Sequence, residues 1–437
     1  MNLQNKMFVN EFFLALISFI SVISIIFSHG IPFMPIIFFV YFLIKLKKGE
    51  ISLKINVYYL FFYFSLFLYF FGVALNQGII YQNNKNDIMN IIYYLLVILI
   101  CSPMSVPKFK EYIEIFFKLL ALTIPLISLL SLYKFFMLSN GVELTFLSRV
   151  HESYPKGTSL VKDYNMFSLG LSIGFVSLTY YYKKAQSLFI KMACVTGTSI
   201  VGISIYLSGS RRGIIVLILL ILYLLILTVS KDKASSAKKR GYQRIKTIIL
   251  LAVFGGILFN ILNHDLQIYS SQEFERIELR SSSITDLESS FSGRTNRWDY
   301  GFELLGDSSF LQLFLGGGFN YLEKYQEKFN TSHEDYPHNF LISAFLYSGI
   351  LGLLVVLILL LLPMIKLFKH RQDIGYEMML VYLLILTFLV NSGNSIFSIR
   401  FLPIFILIII SVVDKNEGKS NQRKTIPENT LLVSIKR

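Results

Sequence analysis

Apolar residues in this chain come in long runs, and a run of about 20 such residues is what an α-helix needs to cross a hydrocarbon core about 30 Å thick. Runs of this kind predict membrane spans at residues 8–27, 31–46, 55–75, 88–102, 113–138, 164–182, 188–208, 213–230, 247–262, 338–362, 377–396 and 399–413. One long polar stretch, residues 263–337, interrupts them. Loops of that length inside a compact protein carry function or are disordered, and the aromatic residues spaced along this one predict a small folded cap. The expected fold is an all-α polytopic membrane protein with about twelve transmembrane helices. Residues 1–262 hold about nine of them, 263–337 form a large external loop with short helices, 338–413 hold about three more, and 414–437 are a basic tail.

Composition excludes the soluble alternative. Of 437 residues, 54% are hydrophobic and only 16% are charged, and the mean hydropathy of +0.59 lies far above that of an ordinary soluble domain. A net charge of +14 would suggest nucleic acid in a soluble chain. Here the Lys and Arg residues gather in short loops between apolar runs, a pattern of topology, and no nucleic-acid partner is expected.

The basic loops alternate. One set carries Lys45, Lys47, Lys48 and Lys54, then Lys108 and Lys110, then Lys183, Lys184 and Lys191, then seven Lys and Arg between 231 and 246, then Lys366, Lys369 and Arg371. These loops and the tail are expected on the cytoplasmic side. The long loop holds thirteen Asp and Glu against six Lys and Arg and is expected outside. An even number of spans with both termini cytoplasmic satisfies both readings. The first run lacks a small-x-small cleavage site and is expected to stay as an uncleaved span. Cys101 and Cys194 fall within or at the end of apolar runs, where they build neither a disulfide framework nor a metal set.

Three groups of residues depart from the apolar background. Ser208-Gly-Ser-Arg-Arg-Gly213 places Arg211 and Arg212 in a short outer turn, where the charge bias disfavours arginine. Such a pair either snorkels to lipid phosphate or binds phosphate on a substrate with its guanidinium forks. Arg294 and Arg297 are three apart in Ser292-Gly-Arg-Thr-Asn-Arg-Trp298. They share a face if residues 295–305 form a short helix with Ser292 near its N-cap, with Trp298, Phe302 and Leu305 as its apolar stripe. Pairing with Asp299 or Glu303 is the alternative for either one. His338 opens the next span after Pro337 and before Asn339, and its neutral imidazole is able to take a proton from a hydroxyl, unless it serves packing alone. His333 with Glu334 and Asp335 matches no ligand signature, so no metal is expected there.

What is missing narrows the function. The interiors of the predicted spans are read as holding almost no ionisable residues besides Glu11 and Lys118, which lie within reach of the cytoplasmic end, whereas proton-coupled transporters need such groups at the midplane. No Walker loop, zincin motif or dinucleotide fingerprint is present, so no cofactor is expected.

In their order and spacing, the Ser-Arg-Arg-Gly turn, the loop with Ser292-Gly-Arg294 and Trp298, the Gly316-Gly-Gly-Phe319 turn, and His338-Asn339 followed by Gly349 and Gly352 resemble the O-antigen polymerase and O-antigen ligase superfamily. The similarity spans about residues 160–362. It implies an inverting, metal-independent glycosyltransferase of the C-type membrane class, acting at the outer face of the bacterial inner membrane on undecaprenyl-diphosphate-linked oligosaccharide. The resemblance also implies partners in the same pathway, namely a chain-length regulator and a flippase. Arg211 or Arg212 matches the family's arginine at the outer turn, Arg294 its loop arginine, both expected to bind the diphosphate. His338 matches its histidine after the loop and is expected, with Arg294, to be catalytic. Arg297 is a further diphosphate-binding candidate from position alone. A polymerase is expected, with a ligase acting on lipid A core as the alternative and a lipid-linked glycan flippase as the alternative from another class.

Overall fold

The computed structural model describes residues 3–27, 109–140, 157–161, 163–230, 284–318, 321–331 and 335–390, with isolated positions 40, 43, 47, 64, 142 and 144. Among the described residues every regular element is a helix: α1 (Leu3–Ile26), α2 (Phe109–Ser139), α3 (Tyr164–Lys184), α4 (Leu188–Leu207), α5 (Arg211–Ser230), α6 (Ile284–Gly306), α7 (Phe310–Leu315), α8 (Tyr321–Phe329), α9 (Phe340–Lys369) and α10 (Ile374–Val390). Three of them, α2, α4 and α9, are long and apolar enough to cross a membrane. The predicted spans at 31–46, 55–75, 88–102, 247–262 and 399–413 lie outside the described residues, apart from isolated helical positions within the first two.

The centre of the bundle is α3, which packs against α1, α2, α4, α5 and α10. Every residue from Met166 to Tyr180 is buried. Its Ser and Gly positions explain how five neighbours fit around one helix. A Cβ at Gly170 would stand 2.3 Å from Ile26, one at Gly174 would stand 2.3 Å from Ile124, and one at Gly213 of α5 would stand 2.5 Å from Ser168 Oγ. Small residues let helices approach closely where lipid tails offer no hydrophobic drive to associate.

Charge marks one end of the bundle. Lys110 pairs with Asp373 at 2.8 Å, Lys183 with Glu377 at 3.0 Å, and Lys184 with Glu114. This end gathers the start of α2, the end of α3 and the start of α10, so the start of α3, the start of α5 and the start of α9 lie at the opposite end. Asp373 also caps α10: its Oδ1 accepts from the Gly375 N–H at 2.9 Å and its carbonyl accepts from Glu377 N–H at 3.0 Å.

One charge sits where none was expected. Lys134, within α2, is fully buried, and its Nζ donates to the carbonyls of Gly157 and Ser159 at 2.8 and 2.7 Å. The near-absence of ionisable residues expected of the spans is corrected by this lysine. Its position toward the end of a span lets the ammonium reach carbonyls of the neighbouring loop in place of water.

The helix α9 is not continuous. Gly349 inside it has φ 64° and ψ −170°, and the segment after α7 fills the break. Gly317 N–H donates to Leu346 O at 3.0 Å. A Cβ on Gly316 would lie 2.3 Å from Tyr347 O, and one on Gly349 2.3 Å from Phe314 O. The glycines of the 316–318 turn and of the following span thus form a backbone-to-backbone contact that no side chain fits.

Candidate functional site

The arginine turn is built by hydroxyls. Ser210 acts as the N-cap of α5: its Oγ accepts from Gly213 N–H at 3.0 Å and donates to Asn165 Oδ1 at 2.9 Å, at the start of α3. Ser208 Oγ donates to Ile205 O at 2.6 Å. Thr158 ties the 157–161 segment beneath the turn, donating from its hydroxyl to Ser204 O at 2.6 Å and from its N–H to Leu207 O at 3.1 Å. Arg211 and Arg212 therefore occupy the first turn of α5, where the helix dipole is positive and an anion is the stabilising counterpart. The Arg212 side chain is half-buried, and the Arg211 side chain lies outside the described residues.

The described residues of the polar stretch form three helices, α6, α7 and α8. The helix carrying Arg294 and Arg297 is longer than residues 295–305: α6 begins at Ile284, which places Ser292 inside the helix instead of at its cap. The apolar stripe is also corrected. Leu305 is buried and Trp298 packs against the core, but Phe302 is exposed. The inward face is set by Gly301, whose Cβ would meet Tyr325 Oη at 2.7 Å and Ile342 at 2.8 Å, so α8 and α9 both press on α6 there. The Arg294 side chain lies outside the described residues, on a helical backbone one turn before Arg297.

Arg297 and His338 meet through Asp335. Arg297 donates from Nε and Nη2 to Asp335 Oδ2 at 2.9 and 2.7 Å, and its guanidinium lies 4.6 Å from the centre of the Phe329 ring. The other carboxylate oxygen, Oδ1, accepts from Tyr336 N–H at 2.9 Å and stands 3.6 Å from His338 Nε2. The Asp335 side chain is 8% exposed against 34% for His338, so the carboxylate lies beneath the imidazole and the imidazole faces outward. Tyr325, buried, donates to Arg297 O at 2.5 Å and fixes the backbone beneath the guanidinium. Burial, with the nearby Tyr300 and Asp335, holds its phenol above the ordinary value.

The backbone aims the histidine. His338 has φ 52°, a left-handed conformation that is costly for a residue with a side chain. Asn339 then caps α9, its Oδ1 accepting from Leu341 and Ile342 N–H at 3.0 and 3.3 Å. The predicted span at 338 thus starts as helix at Phe340, with His338 held outside it against the Tyr336 ring, 4.2 Å between centres. Among the described residues no group of three or more His, Cys, Asp or Glu side chains is placed to hold a metal ion.

Arg212, Arg297 and His338 thus share one end of the bundle, with Arg297 and His338 joined by a carboxylate that sequence reasoning left without a role. The one available signal was the short Asp335-x-x-His338 spacing. Residues 196–357, from within α4 to the second half of α9, match the O-antigen ligase family. No curated protein and no solved structure matches the chain.

Proposed function

We propose that this chain, whose residues 196–357 match the O-antigen ligase family, is a polysaccharide polymerase that transfers a growing glycan from undecaprenyl diphosphate to a lipid-linked repeat unit. The reaction takes place at the outer face of the bacterial inner membrane, the face to which the polar 263–337 stretch is assigned; both termini are cytoplasmic, and about twelve spans connect them. The observation that carries the reading is the Arg297–Asp335–His338 contact at the end of the bundle where α5 begins with two arginines.

The bond between the anomeric carbon and the diphosphate breaks as the acceptor hydroxyl attacks from the opposite face, so the anomeric configuration inverts. Charge grows on the departing diphosphate. Fixed guanidinium groups at Arg211, Arg212 and Arg294 suit that charge and need no metal. His338 takes the proton of the acceptor hydroxyl, and Asp335 orients the imidazole and balances the charge it gains. The pairing with Asp335 favours a holding role for Arg297 over direct diphosphate binding, because the carboxylate already neutralises part of its charge. A ligase that passes the glycan to lipid A core is the second reading, favoured by the family description itself. A chain-length regulator and a flippase of the same pathway are the proposed protein partners.

The test is a reconstituted reaction. Purified protein in nanodiscs receives a single lipid-linked repeat unit without lipid A core. A ladder of lengthening glycans is expected from the native protein, and its turnover is expected to fall about 10²–10⁴-fold in His338→Ala, the scale of a general base, and to fall also in Arg294→Ala. Product only on addition of lipid A core gives the ligase reading; undiminished activity in both variants overturns the site.

A further inference from the structure

The short helix α7 has an apolar face that the described residues leave exposed. Five of its six residues are apolar, and Ser309 and Gln312 hold it in a reciprocal capping box, so the helix is well defined despite its length. Phe310 is 76% exposed, Leu311 49% and Phe314 43%, and the two phenylalanine rings touch at 5.0 Å. The other side of the helix is packed: Leu313 lies against the core, and the chain immediately after α7 fills the break in α9.

The position of that break supplies the occupant. The apolar part of α9 ends at Lys366. Counting back about 20 residues, the length that spans a hydrocarbon core of about 30 Å, reaches Leu346, the residue whose carbonyl accepts from Gly317 N–H. The junction between α7 and α9 therefore lies where hydrocarbon gives way to headgroups. Below it, Leu354, Leu361 and Ile365 of α9 are about half exposed, as side chains facing lipid are, and the end of α7 is joined to α9 just above them, at Leu346–Gly349. We infer that Phe310, Leu311 and Phe314 are seated in the acyl chains at the boundary of the leaflet, and that α7 is an interfacial anchor holding the polar stretch against the membrane. A reacting group at His338 is thereby kept at the depth where the diphosphate of a membrane-embedded lipid resides. The inference rests on the membrane embedding of α9 and not on the proposed reaction.

Tryptophan quenching tests it, because Trp298 is the sole tryptophan in the chain. In a Trp298→Phe background, Phe310→Trp and, separately, Phe314→Trp are reconstituted in nanodiscs of phosphatidylcholine brominated on the acyl chain. Leu354→Trp serves as the lipid reference and Lys328→Trp, on α8, as the water reference. Emission from 310 or 314 is expected to be blue-shifted and quenched at least half as strongly as from 354. Quenching at both positions no stronger than at 328 overturns the inference, whether the emission is red-shifted, as on a solvated face, or blue-shifted, as beneath a second copy of the chain. The readout needs no glycan, so its failure leaves the proposed reaction standing.

Discussion

Asp335 takes both of its described guanidinium hydrogen bonds on one oxygen and leaves the other toward His338, so one carboxylate connects Arg297 to a partly exposed imidazole. Removing its charge while keeping its shape separates orientation from folding. In Asp335→Asn, kcat is expected to fall about 10–100-fold, the scale for a group that orients a reacting side chain without touching substrate, with KM for the lipid-linked unit and the melting temperature nearly unchanged. A rise in KM or a collapse in stability with kcat preserved would assign Asp335 to the scaffold alone. Beyond the short Asp335-x-x-His338 spacing, none of this was legible locally. His338 and the arginines stood out because polar residues are conspicuous beside apolar runs, but the carboxylate was one of thirteen acidic groups in its stretch, and its arginine partner lies 38 positions earlier.

At the scale of elements, the junction of α7 and α9 and the cap of α10 each depend on one residue. Gly349→Ala imposes a left-handed conformation costing about 1–3 kcal/mol and places a methyl group against the Phe314 carbonyl. A marked loss of thermal stability in detergent is expected. Gly306→Ala, whose Cβ would meet nothing within 4 Å, is expected to change stability little. At the far end of the bundle, Asp373→Ala removes the cap of α10 and is expected to cost about 1 kcal/mol. Burial opposes ionisation of Asp373, but hydrogen bonds from Lys110 and from the Gly375 and Tyr376 N–H groups hold its carboxyl below the ordinary value. Its contribution is thus complete above the ordinary carboxylate range and is lost as pH falls through the lowered folded value. The stability gap between Asp373→Ala and native protein, followed by thermal unfolding, should be constant near neutrality and narrow only in acid.

For the whole molecule, the buried Lys134 links α2 to the 157–161 segment on which the arginine turn rests. Lys134→Met keeps the apolar stem but leaves the carbonyls of Gly157 and Ser159 without this donor. The expected cost is about 1–3 kcal/mol, that of an unsatisfied buried group, read as a lower melting temperature and faster proteolysis within 157–161. Unchanged stability would mean that the cost of burying the ammonium offsets its bonds. Span prediction passed over this lysine because a window average absorbs one charge, and only the returning loop supplies its carbonyls.

Hydropathy, read along the chain, was sufficient for what is local. The helices at 109–139, 188–207, 211–230 and 340–369 stand close to the predicted spans, because the length of an apolar run and the thickness of a bilayer set the same number. Motif order from the Ser-Arg-Arg-Gly turn to His338 pointed to the same family that residues 196–357 match. Tertiary structure alone decided which glycine breaks α9 and what fills the break, that α3 with its serines and glycines is the axis of the bundle, and that Arg297 meets Asp335. Each of these is a contact between segments distant in sequence, whose energy exists only when the two surfaces are brought together.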